Sequence, residues 1–197
     1  MDGWTNTFAL KMITSEGFSA IKFNYETETL ACEKVVPAAA FAPLGRFRVR
    51  GGPTVKIVYV PDSSKQFDRK WIEDHCPKSS ESIASVIEKG FGQYVDGGLR
   101  YGDDFKAETL KTFRYLGRQD KEVMRIADVF EKDGFLPLFE LTTIYLMSHI
   151  DAIVYRGEVE DYGRLAEHGV DVYADKNKIE FGGGCEFDGL LETAPYE

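Results

Sequence analysis

The sequence predicts an α+β fold, in which a small sheet packs with helices, and three observations support this class. Residues 53–61 carry apolar side chains on both faces of an extended run, with only Lys56 as an interruption, which is typical of a covered β-strand. Residues 122–134 instead place apolar side chains at helical spacing and end at a glycine. Hydrophobic residues make up 43% of the 197 positions, enough for the core of one domain with extensions or of two small ones.

Residues 122–150 are predicted to form a helical hairpin at the centre of the core. The first helix has one apolar face, formed by Val123, Ile126, Ala127 and Phe130. Gly134 favours the end of that helix, and Pro137 suits the first turn of a second helix over 136–150. The apolar residues of the second helix fall on two stripes: Leu138, Leu141 and Tyr145 on one, and Phe139, Leu146 and Ile150 on the other. A helix that is apolar on two sides is expected to be buried on two sides.

Residues 1–52 are predicted to form a β-rich N-terminal extension, because apolar residues alternate over 8–12 and over 21–25. Charged residues alternate as well: Glu26 and Glu28 on one predicted strand, and Arg46, Arg48 and Arg50 on a later one. This spacing places each set on one face of its strand. Two interpretations are open. The two sets form cross-strand ion pairs, or the three arginines form a small patch that binds an anion or an acidic partner.

The predicted core, residues 53–150, contains further elements between its opening strand and the hairpin. A second strand is expected near residues 66–71, after the turn residues Pro61-Asp62-Ser63-Ser64. A helix is predicted from Ser79 or Ser80 to Lys89, with an acid in its first turn. A short strand near 99–101 and a helix over 105–116 follow.

Residues 151–197 are predicted to form an acidic extension, with a short helix over 157–169 and a strand over 170–173. The chain has a net charge of −9, and residues 157–197 contain eleven acidic residues against three basic ones. Like charges repel, so direct binding of nucleic acid is not expected at this segment. Two explanations are open for the acidity: a solvated surface, or a surface for a basic protein partner.

No motif in the sequence predicts catalysis, a metal site or a cofactor site. Cys32, Cys76 and Cys185 are far apart and odd in number, which favours a reducing compartment over a disulfide framework. The sequence contains no secretory signal pattern and no apolar run of membrane-spanning length, so the cytoplasm or the nucleus is expected. Pairing of Cys185 with His168 stays open, since catalytic pairs are defined by geometry.

Residues 53–150 resemble the BTB/POZ family, including its adaptor members elongin C and the small adaptor of SCF-type ubiquitin ligases. The run PTVKIVYV, a polar turn and KQFDRKWI are similar to the family's opening strand pair. LRYGDDFKAETLKTFRYLG is similar to its third strand and following helix. The run IADVF, a loop with Gly134 and residues 136–150 resemble its helical pair.

The resemblance implies a non-enzymatic protein–protein interaction domain that forms a homodimer or bridges a cullin to a substrate receptor. In the family's adaptor members, cullin contacts include the loop after the first helix of the pair. The residues in the matching region here are Asp128, Val129, Glu131 and Lys132.

A different class of protein is the alternative. A small acidic inhibitor or mimic, of a viral or immunity type, would present residues 157–197, including Glu158, Glu160 and Asp161, to a basic site on its target. An enzyme that uses Cys185 or a carboxylate cluster is a third interpretation.

Overall fold

The computed structural model describes residues 19–24, 29–37, 48–49, 54–61, 68–77, 80–91, 95–96, 99–100, 102–159, 169–183 and 187–192. The strands are β1 (Ser19–Asn24), β2 (Thr29–Pro37), β3 (Arg48–Val49), β4 (Thr54–Val60), β5 (Val95–Asp96), β6 (Leu99–Arg100), β7 (Phe139–Met147), β8 (Ala152–Val159), β9 (Val170–Asp175) and β10 (Ile179–Gly183). The helices are α1 (Arg69–His75), α2 (Ser80–Phe91), α3 (Gly102–Leu116), α4 (Lys121–Asp133) and α5 (Asp188–Glu192). The predicted α+β class is therefore confirmed.

Eight strands form one mixed sheet in the order β1-β2-β4-β7-β8-β9-β10, with β3 paired to β7. The strands β3 and β4 run parallel to β7, and the other pairs are antiparallel. Helices α1 to α4 lie in sequence between β4 and β7, as a parallel pair requires a long connection. Strands from the predicted segments 1–52, 53–150 and 151–197 all belong to this sheet.

One face of the sheet, which we call the helix face, is covered by α1 to α4. Apolar residues of these helices and of the strands form a single buried cluster. Aromatic rings fill its centre: Phe91 stacks on Phe135 at 4.1 Å, and Phe130 meets Phe91 and Phe113 edge-to-face. Large rings in such contacts contribute much of the energy of a close-packed core.

The opposite side of the sheet, which we call the second face, has a smaller apolar cluster. Val58, Tyr145, Met147 and Tyr173 are buried there, with Phe187 just before α5. Polar residues are mixed among them, because the register places Lys56, Thr143, Arg156 and Asp171 in one row across four strands. The second face therefore contains charge where the helix face contains rings.

Helix α4 forms as predicted, and both of its ends follow from the sequence. Asp120 caps the start by accepting a hydrogen bond from the backbone N–H of Glu122 at 2.9 Å. Gly134 ends the helix with φ +80°, a conformation that costs little for a residue without Cβ. Val123, Ile126, Ala127 and Phe130 are all buried, as their spacing predicts. The predictions of β4, α2, β6, α3 and β9 are confirmed in the same way, within a few residues at their ends.

The predicted second helix of the hairpin is wrong. A short 3-10 turn, Leu136–Leu138, leads directly into β7, the strand that pairs with β3, β4 and β8. Because both faces of β7 are covered, its apolar run is nearly continuous and lacks the alternation of a half-buried strand. A register shift between Leu141 and Thr143 also breaks the period of two. Such a run fits helical stripes by coincidence.

Two smaller predictions are contradicted, the second of them only at the residues that the structure describes. The second strand expected near residues 66–71 is replaced by α1, which Asp68 caps through the N–H of Trp71 at 2.9 Å. The helix expected over 157–169 begins instead as strand, since residues 157–159 belong to β8 and residue 169 pairs as a bridge. Residues 8–12, 26, 28 and 160–168 lie outside the described residues.

Candidate functional site

Helices α3 and α4 form a tied pair on the surface of the molecule. The guanidinium of Arg114 on α3 donates to Asp128 on α4 at 2.5 Å and to Glu131 on α4. Its pKa is raised by the side-chain hydrogen bonds to these two carboxylates. Beneath this contact, Phe113 meets Phe130 edge-to-face at 6.2 Å. The pair is thus held by an apolar contact inside and a charged clamp outside.

The four residues of the predicted cullin-binding region lie on α4 in different surroundings. Asp128 and Glu131 are exposed, but both hold Arg114. Lys132 is exposed, with its ammonium 3.9 Å from Asp133. Val129 is half-buried and packs against the main core, so it offers a partner little surface.

A second surface feature lies on α3 and in the turn that follows it, and we call it the Tyr115 ridge. Lys111, Tyr115 and Arg118 are exposed and follow one another at i, i+4 and i+7, with the guanidinium of Arg118 5.8 Å from the Tyr115 ring centre. The side chain of Tyr115 is 68% exposed, and Val35 at 58% is the other large hydrophobic residue exposed to this degree in the described part of the chain. The sequence held a signal for this site. Tyr115 falls outside the apolar face of Leu110, Phe113 and Leu116.

Four acidic residues of the C-terminal segment, residues 157–197, have partners in the part of the fold that the structure describes. Asp171 and Asp188 bind Arg156, and Glu180 binds Lys178 at 2.8 Å. Asp175 accepts hydrogen bonds from the backbone of Asn177 and Lys178 and from the Tyr173 hydroxyl, and these lower its pKa. Glu158 is exposed on β8 opposite Glu140, whereas Glu160 and Asp161 lie outside the described residues.

The predicted arginine patch is only partly within the described structure. Arg48 lies in β3, at the register position opposite Glu140 of β7. Arg46 and Arg50 lie outside the described residues. His168 and Cys185 of the third interpretation lie outside them too.

Sequence reasoning missed a buried charge cluster around Arg156 on the second face. Its guanidinium makes two hydrogen bonds to the fully buried Asp171, at 2.8 and 2.7 Å, and a further one to Asp188. It also lies 5.0 Å above the ring of Tyr145. Burial alone would lower the pKa of Arg156, but the bonds to Asp171 and Asp188 more than offset it and raise the pKa. A fork-shaped guanidinium paired with a carboxylate is the arrangement that makes a buried charge tolerable.

A polar cluster at the carboxyl ends of β4 and β7 fixes α1 to the sheet. The hydroxyl of Ser148 lies 3.0 Å from that of Tyr59, which accepts the N–H of Asp68 at 3.2 Å. In the first turn of the helix, the indole N–H of Trp71 donates to Asp151 at 2.9 Å. His75 stacks on Trp71 at 4.2 Å. These contacts attach α1 to the sheet, which explains the cluster in structural terms.

His75 does not have the geometry of a catalytic base in this cluster. Its Nδ1 lies 2.9 Å from the carbonyl of Trp71 and its Nε2 lies 3.3 Å from Asp151, so both ring nitrogens face acceptors. Across the described ranges, no group of three His, Cys, Asp or Glu side chains is arranged to hold a metal ion.

No helix in the described part of the chain is long and apolar enough to cross a membrane.

Comparison with known proteins adds no relative to these observations. No protein-family model matches the chain, and no curated protein and no solved structure match it either.

Proposed function

We propose that the chain is a non-enzymatic protein–protein interaction module that binds its partner through the Tyr115 ridge. The observation that carries the proposal is the 68% exposure of Tyr115 between two basic side chains, at the end of a helix that Arg114 ties to α4. Tyrosine and arginine are the residue types most enriched at the energetic centres of protein interfaces. An exposed tyrosine also loses few rotamers on binding, because it has only two side-chain torsions.

The clamp between α3 and α4 supports this proposal by reducing the cost of binding. Arg114, Asp128 and Glu131 hold the two helices in one arrangement before a partner arrives. A surface that is already ordered loses less conformational entropy in the complex. The acids of α4 therefore contribute to binding mainly by positioning the ridge on α3.

The ridge also indicates the chemistry of the partner. Lys111 and Arg118 flank Tyr115, so the complementary surface is an apolar pocket with an acidic rim. The adaptor form of the proposal, in which the partner is a cullin or a substrate receptor, rests on the BTB/POZ resemblance. That resemblance now draws on β4, β6, α3 and α4, because residues 69–72 of its opening strand pair belong to helix α1 and the second helix of its helical pair is strand β7.

The acidic-inhibitor alternative keeps Glu158 as an exposed acid but has four engaged acids within the described residues. Asp171, Asp175, Glu180 and Asp188 are engaged with residues of the same chain. An acid that is already paired attracts a basic partner less strongly than a solvated acid does.

A pull-down from host extract, with identification of bound proteins by mass, tests the proposal. The bait is the full chain as wild type, as Tyr115→Ser and as the matched control Val35→Ser, each at low and high salt. We expect a protein that the wild type and the Val35→Ser bait retain at high salt and that Tyr115→Ser loses.

Three other outcomes have defined meanings. Recovery of the same proteins by Tyr115→Ser would overturn the proposal. A basic protein that is lost at high salt, whatever residue stands at position 115, would favour the acidic inhibitor. Light scattering identifies a second copy of the chain as the partner if the wild type is a dimer and Tyr115→Ser is a monomer.

A further inference from the structure

Residues 187–192, which include α5, lie on the second face and contact it in three different ways. The ring of Phe187 stacks on Tyr173 with 5.5 Å between centres. The carboxylate of Asp188 binds the guanidinium of Arg156. The carbonyl of Leu190 accepts a hydrogen bond from Nε2 of His149 at 2.9 Å. An aromatic, an anionic and a backbone contact thus occur within four consecutive residues.

The surface beneath this segment keeps its charges paired without the segment. Arg156 holds Asp171 through two hydrogen bonds, and both residues belong to paired strands, β8 and β9. If Asp188 leaves, the guanidinium retains a buried carboxylate and the Tyr145 ring. Contacts of this kind are usually costly to break because a buried charge is left unpaired. The departure of the segment leaves no buried charge unpaired, so this cost is avoided.

One atom at this site has no partner in the seated arrangement. A carbonyl only accepts, so Nε2 of His149 carries the proton of this hydrogen bond. Nδ1 is buried and makes no hydrogen bond within the described structure. The seated arrangement therefore leaves one buried polar atom without a hydrogen bond, which costs free energy.

We propose that the second face is a binding site for a short peptide segment of a partner protein, and that residues 187–192 occupy it in the absence of that partner. The ligand has an aromatic residue, an acidic residue directly after it and a leucine two positions later. Tyr173 receives the aromatic ring, Arg156 the acid and His149 the backbone. This site lies on the side of the sheet away from α3 and α4, so it does not depend on the Tyr115 ridge.

The seated segment is short enough to be displaced. Helix α5 has five residues, and a helix of this length has little stability of its own. Its advantage is covalent linkage, which gives it an effective concentration on the order of millimolar. A free peptide of the same sequence therefore binds the wild-type chain weakly, and binds well only when the linked segment is weakened.

Fluorescence anisotropy of a labelled peptide that spans residues 186–192 tests this site. The peptide is added to the full wild-type chain, to the full chain carrying Phe187→Ala with Asp188→Ala, and to the full chain carrying Asp188→Lys alone. We expect both variants to bind the peptide at least about tenfold more tightly than the wild type. The variant Asp188→Lys is included in case the double variant does not fold. Circular dichroism verifies that both variants are folded.

Changes in the peptide identify the contacts without altering the protein. We expect a peptide with Asp188→Asn to lose about tenfold in affinity, because it lacks the charge for Arg156, and a peptide with Phe187→Ala to lose a similar factor. The proposal is overturned if folded variants do not bind the peptide. It is also overturned if the wild type binds as tightly as the variants, or if a scrambled peptide binds equally well.

Discussion

The two faces of the same sheet solve the problem of burial in different ways. The helix face buries rings and aliphatic chains under four helices, and Phe91, Phe113, Phe130 and Phe135 make most of its aromatic contacts. The second face buries a salt bridge, two tyrosines and a methionine, with a five-residue helix beside them. Strands β7, β8 and β9 contribute alternate residues to both faces.

The difference shows what each face can tolerate. A core of packed rings is stabilised by close packing, so the removal of a ring leaves a cavity that destabilises the fold. A face built around Arg156 and Asp171 depends on matched charges, so it tolerates the loss of both partners better than the loss of one. The following predictions test this contrast, from the largest expected effect to the smallest.

The largest loss is expected for Phe130→Ala on the helix face. Phe130 is fully buried and contacts two other rings, so its removal should lower the free energy of unfolding by about 4 kcal/mol. The measurement is guanidinium unfolding followed by circular dichroism, with Phe130→Leu as the control that keeps most of the volume. A loss below about 1 kcal/mol for the alanine variant would show that this face is not packed as described.

A smaller loss is expected when the charge pair of the second face is broken. Asp171→Asn leaves the guanidinium of Arg156, 23% exposed, with Asp188 as its carboxylate, and should cost about 3 kcal/mol. The double variant Arg156→Met with Asp171→Leu should recover most of this loss, because no charge is then buried alone. If the double variant is less stable than Asp171→Asn, the two faces do not differ in the way proposed.

Acid should affect the β9–β10 turn through Asp175. The hydrogen bonds from the backbone of Asn177, from Tyr173 and from Lys178 lower the folded pKa of Asp175 below the ordinary value of an aspartate. A lowered folded pKa stabilises the fold above the unfolded pKa, and this contribution is lost as the pH falls through the folded value. Asp175→Asn should therefore lose less stability than the wild type between about pH 5 and pH 2. Equal losses in urea titrations at both pH values would contradict the assignment.

The smallest effect is expected for the exposed pair of the second face. Lys56 lies 3.3 Å from Glu33, and both side chains are substantially exposed. Lys56→Met should change the free energy of unfolding by no more than about 0.5 kcal/mol, because water and salt screen such a pair. Lys56 occupies the same row as Arg156, so a loss comparable to that of Asp171→Asn would mean that burial is not what separates the two pairs.

The sequence predicts those elements whose local pattern and tertiary role agree. Helix α4 has one apolar face, a capping aspartate and a closing glycine, and strand β4 is apolar on both sides between prolines. The sequence predicts a helix in place of strand β7, because burial on both faces and an irregular register conceal the period of two. Thr142, Thr143 and Ile144 at its centre are β-branched, and they were the local signal for a strand.

The candidate sites were predictable to different degrees. Tyr115 could be found on a helical projection, because it falls between charged residues and away from the apolar face of α3. The pair of Arg156 and Asp171 could not be found in this way, since it depends on the register between β8 and β9 across residues 160–168. An aspartate between Val170 and Val172 was the available hint that one side of this strand meets a cation.

The parallel pairing of β4 with β7 has a consequence for how the chain folds. β7 and β8 form a local hairpin, whereas β4 meets β7 only after the four helices between them have been brought into place. Contacts between residues far apart in sequence form slowly, because a long loop must close first. We therefore expect the C-terminal hairpin to gain order early in refolding and the union of the two halves of the sheet at β4 and β7 to limit the rate.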